Sequence, residues 1–584
     1  MTPDVARRWL PASLVLAGAV AVLAAPLVLD TYSINVLTRS LLLAIAAVTV
    51  DLLWGYTGIL SFAQAAFLAI GAYGFALVSS NLGFSAGTGL LALLLGLGAA
   101  GLAAGLVGWL AFSYGASPLY VSTITLVFPI VFVQLIFAGG NVTGSSSGLS
   151  GFDVPELDTE SWFRVAGLLL VAVAALAATL VRSDFGRLLV AMRENEVRCQ
   201  YLGIPTARLK LLLFVACAMV CAAAGWVYAG ATAVVAPELG NFVSGTELVI
   251  YTALGGRATL AGPILGAVSI DAISNYLNGV LPFLWSLIVG LVFVAVIVAL
   301  PGGLLSLVRL GRQQRPRPAP HLVEAPPAIW RGDSPGDTIV LRVDALDKRF
   351  GSLQVLRGVS FAAQAGDLVS LIGPNGAGKT TLMRCIADGR ERSAGTVEVG
   401  GRSVGRMPPH RCAALGVGRK FQTASVFETM TVADCLLVAR SRIARPSLLG
   451  RTSTIALPAS ALEVVRATGL VDRLNVETRH LSHGEKQSLE LAMVLALEPA
   501  LLLLDEPTAG LTTAERRRIG TLLADIAHRH RLCIVLVEHD LDFVRRISSR
   551  VIVLHQGNIV LDGGVEEAVQ SETVRTIYAG AAHG

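Results

Sequence analysis

Between Leu10 and Leu300 one apolar run follows another, and most approach the ~20 residues a helix needs to span a bilayer. The runs are Leu10–Leu29, Val36–Leu53, Ile59–Val78, Leu90–Phe112, Pro118–Phe137, Val165–Val181, Leu211–Val235, a short Leu248–Leu254, Leu260–Leu277 and Phe283–Leu300. Charge divides the chain at the same place. Residues 1–310 hold 25 Asp, Glu, Lys and Arg, or 8%, and residues 311–584 hold 62, or 23%. A membrane half is therefore joined to a soluble half. The 54% hydrophobic content and mean hydropathy of +0.66 exclude disorder, a small disulfide scaffold and an ordinary soluble enzyme. The net charge of +5 is spread over both signs with no clustered basic face, which argues against nucleic acid as a partner. Seven cysteines include no C-x-x-C pair, so zinc ligation is unsupported, and Cys217 and Cys221 read as packing residues.

Arg7 and Arg8 ahead of the first run suggest a signal peptide, but Pro26 and Asp30 make a poor cleavage site, so the run reads as a retained span. Orientation follows the basic loops. The loop 182–210 carries Arg182, Arg187, Arg193, Arg198, Arg208 and Lys210 and is expected in the cytoplasm. The acidic loop 138–164 is expected outside. Both termini then lie inside, provided the short eighth run counts as a crossing. Glycines at 55, 58, 71, 74, 255, 256, 262 and 266 suit close helix packing, or broken helices lining a cavity. Asp271, Asn275 and Asn278 fall in or near the ninth span, where a carboxylate is a functional candidate. Residues 309–337, with six prolines and Arg309, Arg312, Arg315 and Arg317, read as an extended linker beside anionic lipid headgroups.

In the soluble half, the apolar Val369–Ile372 leads into Gly373, Pro374, Asn375, Gly376, Ala377, Gly378, Lys379, Thr380 and Thr381. This is the phosphate-binding pattern: glycines turn backbone amides toward phosphate, Lys379 reaches the outer phosphates, and the Thr380 hydroxyl suits Mg²⁺. Leu501–Leu504 reads as a buried strand of a parallel sheet, ending in Asp505 and Glu506. Asp505 suits Mg²⁺, and Glu506 sits where a base would polarise an attacking water. A third apolar strand, 533–537, leads to Glu538 and His539, a candidate sensor of the γ-phosphate. Ser482, His483, Gly484 and Glu485 precede a helix about twenty residues before Asp505, as an anion site or an N-cap.

These residues identify the soluble half as resembling the ATPase of ABC transporters over nearly all of 339–580. The resemblance implies that Phe350 stacks on adenine and that Gly373–Thr381 is the Walker A loop. It also implies that Gln422 belongs to the Q-loop and helps hold Mg²⁺ with Thr380 and Asp505. Leu481–Gln487 then matches the signature, Asp505 and Glu506 the Walker B pair, and His539 the switch histidine. Two departures stand out: His483 and Glu485 replace the usual Gly and Gln, and Thr512 replaces the usual D-loop Asp. The membrane half resembles the permeases of branched-chain amino acid importers through Gly55–Ser61, Ala66–Phe67, Gly71–Tyr73, Met192–Glu196, Leu202–Gly203 and Leu254–Pro263. In that family Arg193, Glu194, Asn195, Glu196 and Gly203 belong to the segment holding the coupling helix. Leu481–Gln487, Arg419–Gln422 and Val553–Gly557 look like the urea and short-amide branch.

The expected architecture is an all-α polytopic membrane domain of about ten transmembrane helices (1–308), a linker (309–337) and an α/β P-loop ABC ATPase domain (338–584). The implied function is ATP-driven import of branched-chain or related amino acids across the cytoplasmic (inner) membrane, with urea or a short amide as the alternative. ATP and Mg²⁺ are the expected ligands. One permease and one ATPase per chain imply a homodimer or a second permease–ATPase pair, and the resemblance favours the second, with an extracytoplasmic solute-binding protein. A half-exporter would need long charged cytoplasmic helix extensions, whereas one charged loop precedes the linker. A nucleotide-gated sensor could dispense with Glu506.

Overall fold

Long apolar runs produce long helices in the first half of this computed structural model, interior glycines and Pro129 notwithstanding. The structure describes residues 3–113, 117–280, 287, 290–291, 294–295, 298–299, 302–305, 320–326, 339–572 and 574–575. The chain forms two units. One comprises residues 1–193, 207–315 and 448–450, and the other comprises 194–206, 316–447 and 451–584.

The first unit is helical. Its helices are α1 (Pro3–Ala24), α2 (Thr31–Thr57), α3 (Gln64–Leu82), α4 (Ala86–Phe112), α5 (Pro118–Ala138), α6 (Thr159–Arg182), α7 (Asp184–Glu194, its last residue in the second unit), α9 (Thr206–Thr232), α10 (Phe242–Gly255) and α11 (Ala261–Val280). Among the described residues, six helices (α2 to α6 and α9) are long and apolar enough to cross a membrane, against about ten expected. The run Phe283–Leu300 lies largely outside the described residues, as do the linker arginines and the side chain of Asn278.

The eighth run is the 14-residue α10, about 21 Å long, shorter than a ~30 Å hydrocarbon layer. The chain makes up the difference with a 3-10 turn at Pro237–Gly240 and an Asn241 cap. Before it, β2 (Val234–Val235) pairs antiparallel with β1 (Leu149–Ser150) in the α5–α6 loop. After it, the amides of Ala258, Thr259 and Leu260 donate to Asp51 near the end of α2. One turn further along α2, Arg193 of the basic segment donates to the Gly55 carbonyl at 2.6 Å. The eighth run is therefore a short helix held by anchors before and after it, rather than one of the long apolar helices. Gly58 caps α2 with φ of +78°, whereas other glycines serve packing. A Cβ on Gly71 would lie 1.9 Å from the Ala222 carbonyl oxygen, and one on Gly225 would lie 1.8 Å from that of Leu68, so α3 and α9 cross in backbone contact.

The second unit carries two sheets. Strands β4 (Ile339–Phe350), β5 (Leu353–Gln364), β7 (Ala394–Val399) and β8 (Arg402–Ser403) form an antiparallel sheet in the order β5-β4-β7-β8. The other sheet uses β6 (Leu368–Ile372), β9 (Val417–Lys420), β11 (Leu501–Asp505), β12 (Cys533–Val537), β13 (Arg550–His555) and β14 (Asn558–Gly563). Its order is β14-β13-β6-β12-β11-β9, parallel except for the β13–β14 hairpin. Strands β6, β11 and β12 are buried at every position, as continuous apolar runs in a covered parallel sheet should be. The registers Val369↔Val535 and Leu503↔Val535 align their carboxyl ends. Within the stretch read as a plain spacer, β3 (His321–Glu324) pairs in parallel with β10 (Thr454–Leu457).

The helices of this unit are α8 (Glu196–Tyr201), α12 (Lys379–Ala387), α13 (Pro409–Ala414), α14 (Val432–Arg440), α15 (Ala459–Ala467), α16 (His483–Leu495), α17 (Thr513–Arg529), α18 (Leu541–Ile547) and α19 (Val565–Gln570). Together the units make an all-α membrane-type domain followed by an α/β P-loop ATPase fold.

Candidate active site

Four aligned strands end at one edge of the large sheet, and each delivers one expected element there. From β6 the chain enters Gly373–Gly378, from β9 it reaches Gln422, from β11 it reaches Asp505 and Glu506, and from β12 it reaches Glu538 and His539. Ligands of α/β sheets bind at such carboxyl edges.

The loop between β6 and α12 depends on glycine. Gly373, Gly376 and Gly378 have φ of +149°, +80° and +103°. A Cβ on Gly373 would meet the Leu554 carbonyl oxygen at 2.1 Å, whereas one on Gly376 would meet nothing within 4 Å. The loop is thus pinned at its base and open at its crest, the shape of a phosphate cradle. Pro374 is half-buried, Asn375 exposed, Ala377 buried and Thr381 half-buried. Lys379 opens α12, and its ammonium donates to the Gly373 and Pro374 carbonyls at 2.7 and 2.9 Å. Burial pushes its pKa down from the ordinary lysine value, against the pull of Glu506 and Asp505.

The Thr380 hydroxyl donates to Asp505 Oδ1 at 3.4 Å. Burial pushes the Asp505 carboxyl above the ordinary carboxylate range. Glu506 has φ of +45°, a strained backbone for a non-glycine residue. Both its carboxylate oxygens are engaged: Gln422 Nε2 donates to one at 2.8 Å, and His539 Nε2 lies 2.8 Å from the other. Glu538 accepts from the Thr508 amide at 3.3 Å and its hydroxyl at 2.6 Å, tying the strand end to the loop after Glu506. Thr380, Asp505 and Gln422 present hard oxygen donors side by side, a set that fits Mg²⁺. Phe350, half-exposed at the end of β4, has the Lys348 ammonium 4.5 Å from its ring centroid.

Ser482 caps α16, accepting from the Glu485 amide at 3.3 Å, and Glu485 Oε2 accepts from the Ser482 amide at 2.8 Å. Glu and Gln both form this reciprocal box, so the Gln-to-Glu departure preserves it. His483 Nε2 lies 3.2 Å from the Ala509 carbonyl, so the Gly-to-His departure ties the signature to the D-loop. A Cβ on Gly484 would fall 2.7 Å from Glu515 Oε1. Thr512 caps α17 in a second reciprocal box with Glu515.

The segment after Arg193 belongs to the second unit. Glu194 accepts from the Thr429 amide at 3.1 Å and from its hydroxyl. Asn195 caps α8 and donates to Ser425 Oγ at 2.9 Å. Glu196 opens the helix. Gly203 has φ of +82°, and a Cβ there would press on Arg442 at 2.5 Å.

Sequence reasoning missed the anchor. Arg198 is fully buried. Its guanidinium lies 3.2 Å from Glu490 Oε1 and donates to the Arg419 carbonyl at 3.0 Å and the Glu490 carbonyl at 3.3 Å. Glu490, on α16, also accepts the Phe421 amide at 3.1 Å and has Lys420 at 3.8 Å. Tyr201 accepts from Arg419 at 3.1 Å and packs edge-on against Phe421. Burial pushes the pKa of both Arg198 and Lys420 down. One cleft of about 550 Å³ runs from Asn195 and Val197 past Gln422 to Thr380 and Asp505. The signal lay in a charged loop whose six cations gave no hint which one was buried.

Residues 32–297 match the family model described as the permease component of branched-chain amino acid transport systems, and residues 356–509 match that of ABC transporters. The soluble half is 34% identical over 252 residues to the high-affinity branched-chain amino acid transport ATP-binding protein LivG of Salmonella typhimurium, covering 42% of this chain and 98% of that protein. It is 33% identical over 251 residues to BraF of Pseudomonas aeruginosa, described in the same terms, again covering 42% and 98%. An ATP-binding cassette of an ABC transporter, solved in its ADP conformation, aligns at 25% identity and a TM-score of 0.36, over 41% of this chain and 99% of that one.

Proposed function

Because this chain belongs to the ABC transporter family, with a branched-chain-type permease joined to its nucleotide-binding ATPase, we propose that it imports branched-chain or related amino acids across the cytoplasmic membrane at the expense of ATP. In this reading 1–308 is the permease, 309–337 the linker and 338–584 the ATPase. The chain assembles with a second permease–ATPase pair and receives solute from an extracytoplasmic binding protein. The observation that carries the reading is α8. This segment, flanked by two permease helices, is buried in the ATPase unit through Arg198, beside the strand that leads to Gln422.

Two ATP molecules sit between the Gly373–Thr381 loop of one ATPase and Ser482–Glu485 of the other. Lys379 leaves the Gly373 and Pro374 carbonyls for the outer phosphates. Mg²⁺, when bound, offsets phosphate charge, held by Thr380, Asp505 and Gln422. Glu506, fixed by Gln422 on one oxygen and His539 on the other, orients the attacking water. His539 then follows the γ-phosphate. Phosphoryl transfer needs little beyond such positioning and electrostatic stabilisation. Because Gln422 contacts Glu506 and lies in the α8 cleft, movement of α8 reaches the water-orienting carboxylate.

The test is uptake of labelled leucine and labelled urea by cells expressing the chain with its partner subunits, with Glu506→Gln as control. Leucine accumulation that the control loses supports the reading. Urea accumulation instead replaces the solute, and Glu506-dependent efflux overturns import.

A further inference from the structure

Helices α2, α9, α10 and α11 bring ionisable side chains together among apolar residues, from buried Asp271 out to exposed Arg39 and Glu247, away from every site described above. Arg39 lies about 12 Å along α2, and Asp271 about 15 Å along α11. Arg39 Nε approaches Asp271 Oδ1 at 3.9 Å, and the Ser40 hydroxyl donates to Asp271 Oδ2 at 2.6 Å. Glu247 on α10, Tyr228 on α9 and Tyr251 on α10 are all within electrostatic range of this pair.

The cluster is not a closed structural ion pair. Asp271 is buried, but the Arg39 side chain is 48% exposed. Glu247 is exposed too, and among the described residues it has no hydrogen bond or ion pair. Exposed apolar side chains such as Phe242, Val243 and Ile273 occupy the same helices. Charges left open in an apolar layer face a water-lined path or another subunit rather than lipid. The cluster also holds one cation against two carboxylates, with the short α10 contributing one of the latter.

Resting on the amino-acid import reading, we infer that Arg39 and Glu247 form a solute-binding site within the permease. The Arg39 guanidinium takes the α-carboxylate of the amino acid, and Glu247 takes its α-ammonium. Asp271, fixed by Ser40, holds Arg39 in place, and Tyr228 and Tyr251 wall the side. Planar guanidinium forks suit carboxylates, and an unpaired carboxylate suits an ammonium.

The experiment uses the assembled transporter in detergent, without binding protein. Its thermal midpoint is titrated with leucine, leucinamide or 4-methylpentanoate, since a ligand that prefers the folded state raises the midpoint. In the wild type, leucine should bind better than both analogues. Arg39→Gln should weaken leucine about tenfold and abolish its advantage over leucinamide, while the advantage over 4-methylpentanoate remains. Glu247→Gln should do the reverse. If Arg39→Gln does not accumulate, Arg39→Lys, which keeps the charge but not the fork, should narrow the leucinamide gap. Variants that keep the wild-type ranking, in a wild type that imports leucine, overturn this site alone. A wild type that neither binds nor imports leucine overturns leucine as the solute, and this site as a leucine site with it.

Discussion

Replacing Arg198 with Met removes the charge that buries α8 in the ATPase unit while keeping a similar volume. Removing one partner of a buried ion pair costs about 3–5 kcal/mol, because the other charge is left without compensation. Here Glu490 keeps the Phe421 amide at 3.1 Å and Lys420 at 3.8 Å, so the lower end applies. At about 3 kcal/mol, the preference of α8 for its groove falls by roughly two orders of magnitude. ATP binding should survive, since no contact of Lys379, Asp505 or Glu506 is touched. Solute control of turnover should not. In proteoliposomes with binding protein, basal ATP hydrolysis should persist, its stimulation by solute should vanish, and leucine uptake should fall at least about tenfold. Arg198→Met combined with Glu490→Gln removes the stranded carboxylate and should recover part of the stimulation, a coupling between neighbours that single variants cannot reveal. Unchanged uptake per ATP in Arg198→Met would refute the reasoning. So would loss of basal hydrolysis in step with uptake, which would mark a folding defect.

Asp505→Asn should abolish hydrolysis yet raise the thermal midpoint at pH 7 in the absence of nucleotide. The Asp505 carboxyl holds its proton more tightly when folded, so its ionisation penalty is absent below the unfolded value of 3.8 and complete above the raised folded value. Scanning calorimetry at pH values lowered from 7 toward 3.8 should show the wild-type disadvantage narrowing as pH falls. Gly71→Ala forces a Cβ to within 1.9 Å of the Ala222 carbonyl, so membrane accumulation should drop sharply in quantitative blots. Thr512→Ala removes a helix cap and should cost about 1 kcal/mol, read as a lower thermal midpoint with ATP affinity unchanged.

The nucleotide edge was legible in the sequence because its chemistry is local. Apolar runs ending in Gly373, Asp505 and His539 identify both the strands and their outlets, and strand pairing then brings the outlets together. The departures at His483, Glu485 and Thr512 were visible as substitutions, but their meaning was not. Reciprocal capping and the His483–Ala509 contact depend on geometry across 26 residues. A crossing at the eighth run was expected from charge parity, whereas the structure has there a short helix, set by the Asn241 cap and followed by the Asp51 anchor 207 residues from Ala258. Arg198 was hidden for the same reason, since its partner lies 292 residues away.

That separation has a consequence for how the protein is made. Arg198 leaves the ribosome long before Glu490, and at roughly 5–20 residues per second the interval is about 15–60 s. During that time the arginine and its short helix have no groove to enter. The ATPase, synthesised afterwards, closes its interior around a peptide contributed by a loop between membrane helices made earlier. A nascent chain released too soon displays a bare cationic loop, and an ATPase that meets no such loop keeps Glu490 without its arginine. The buried pair therefore forms only once translation has passed both halves.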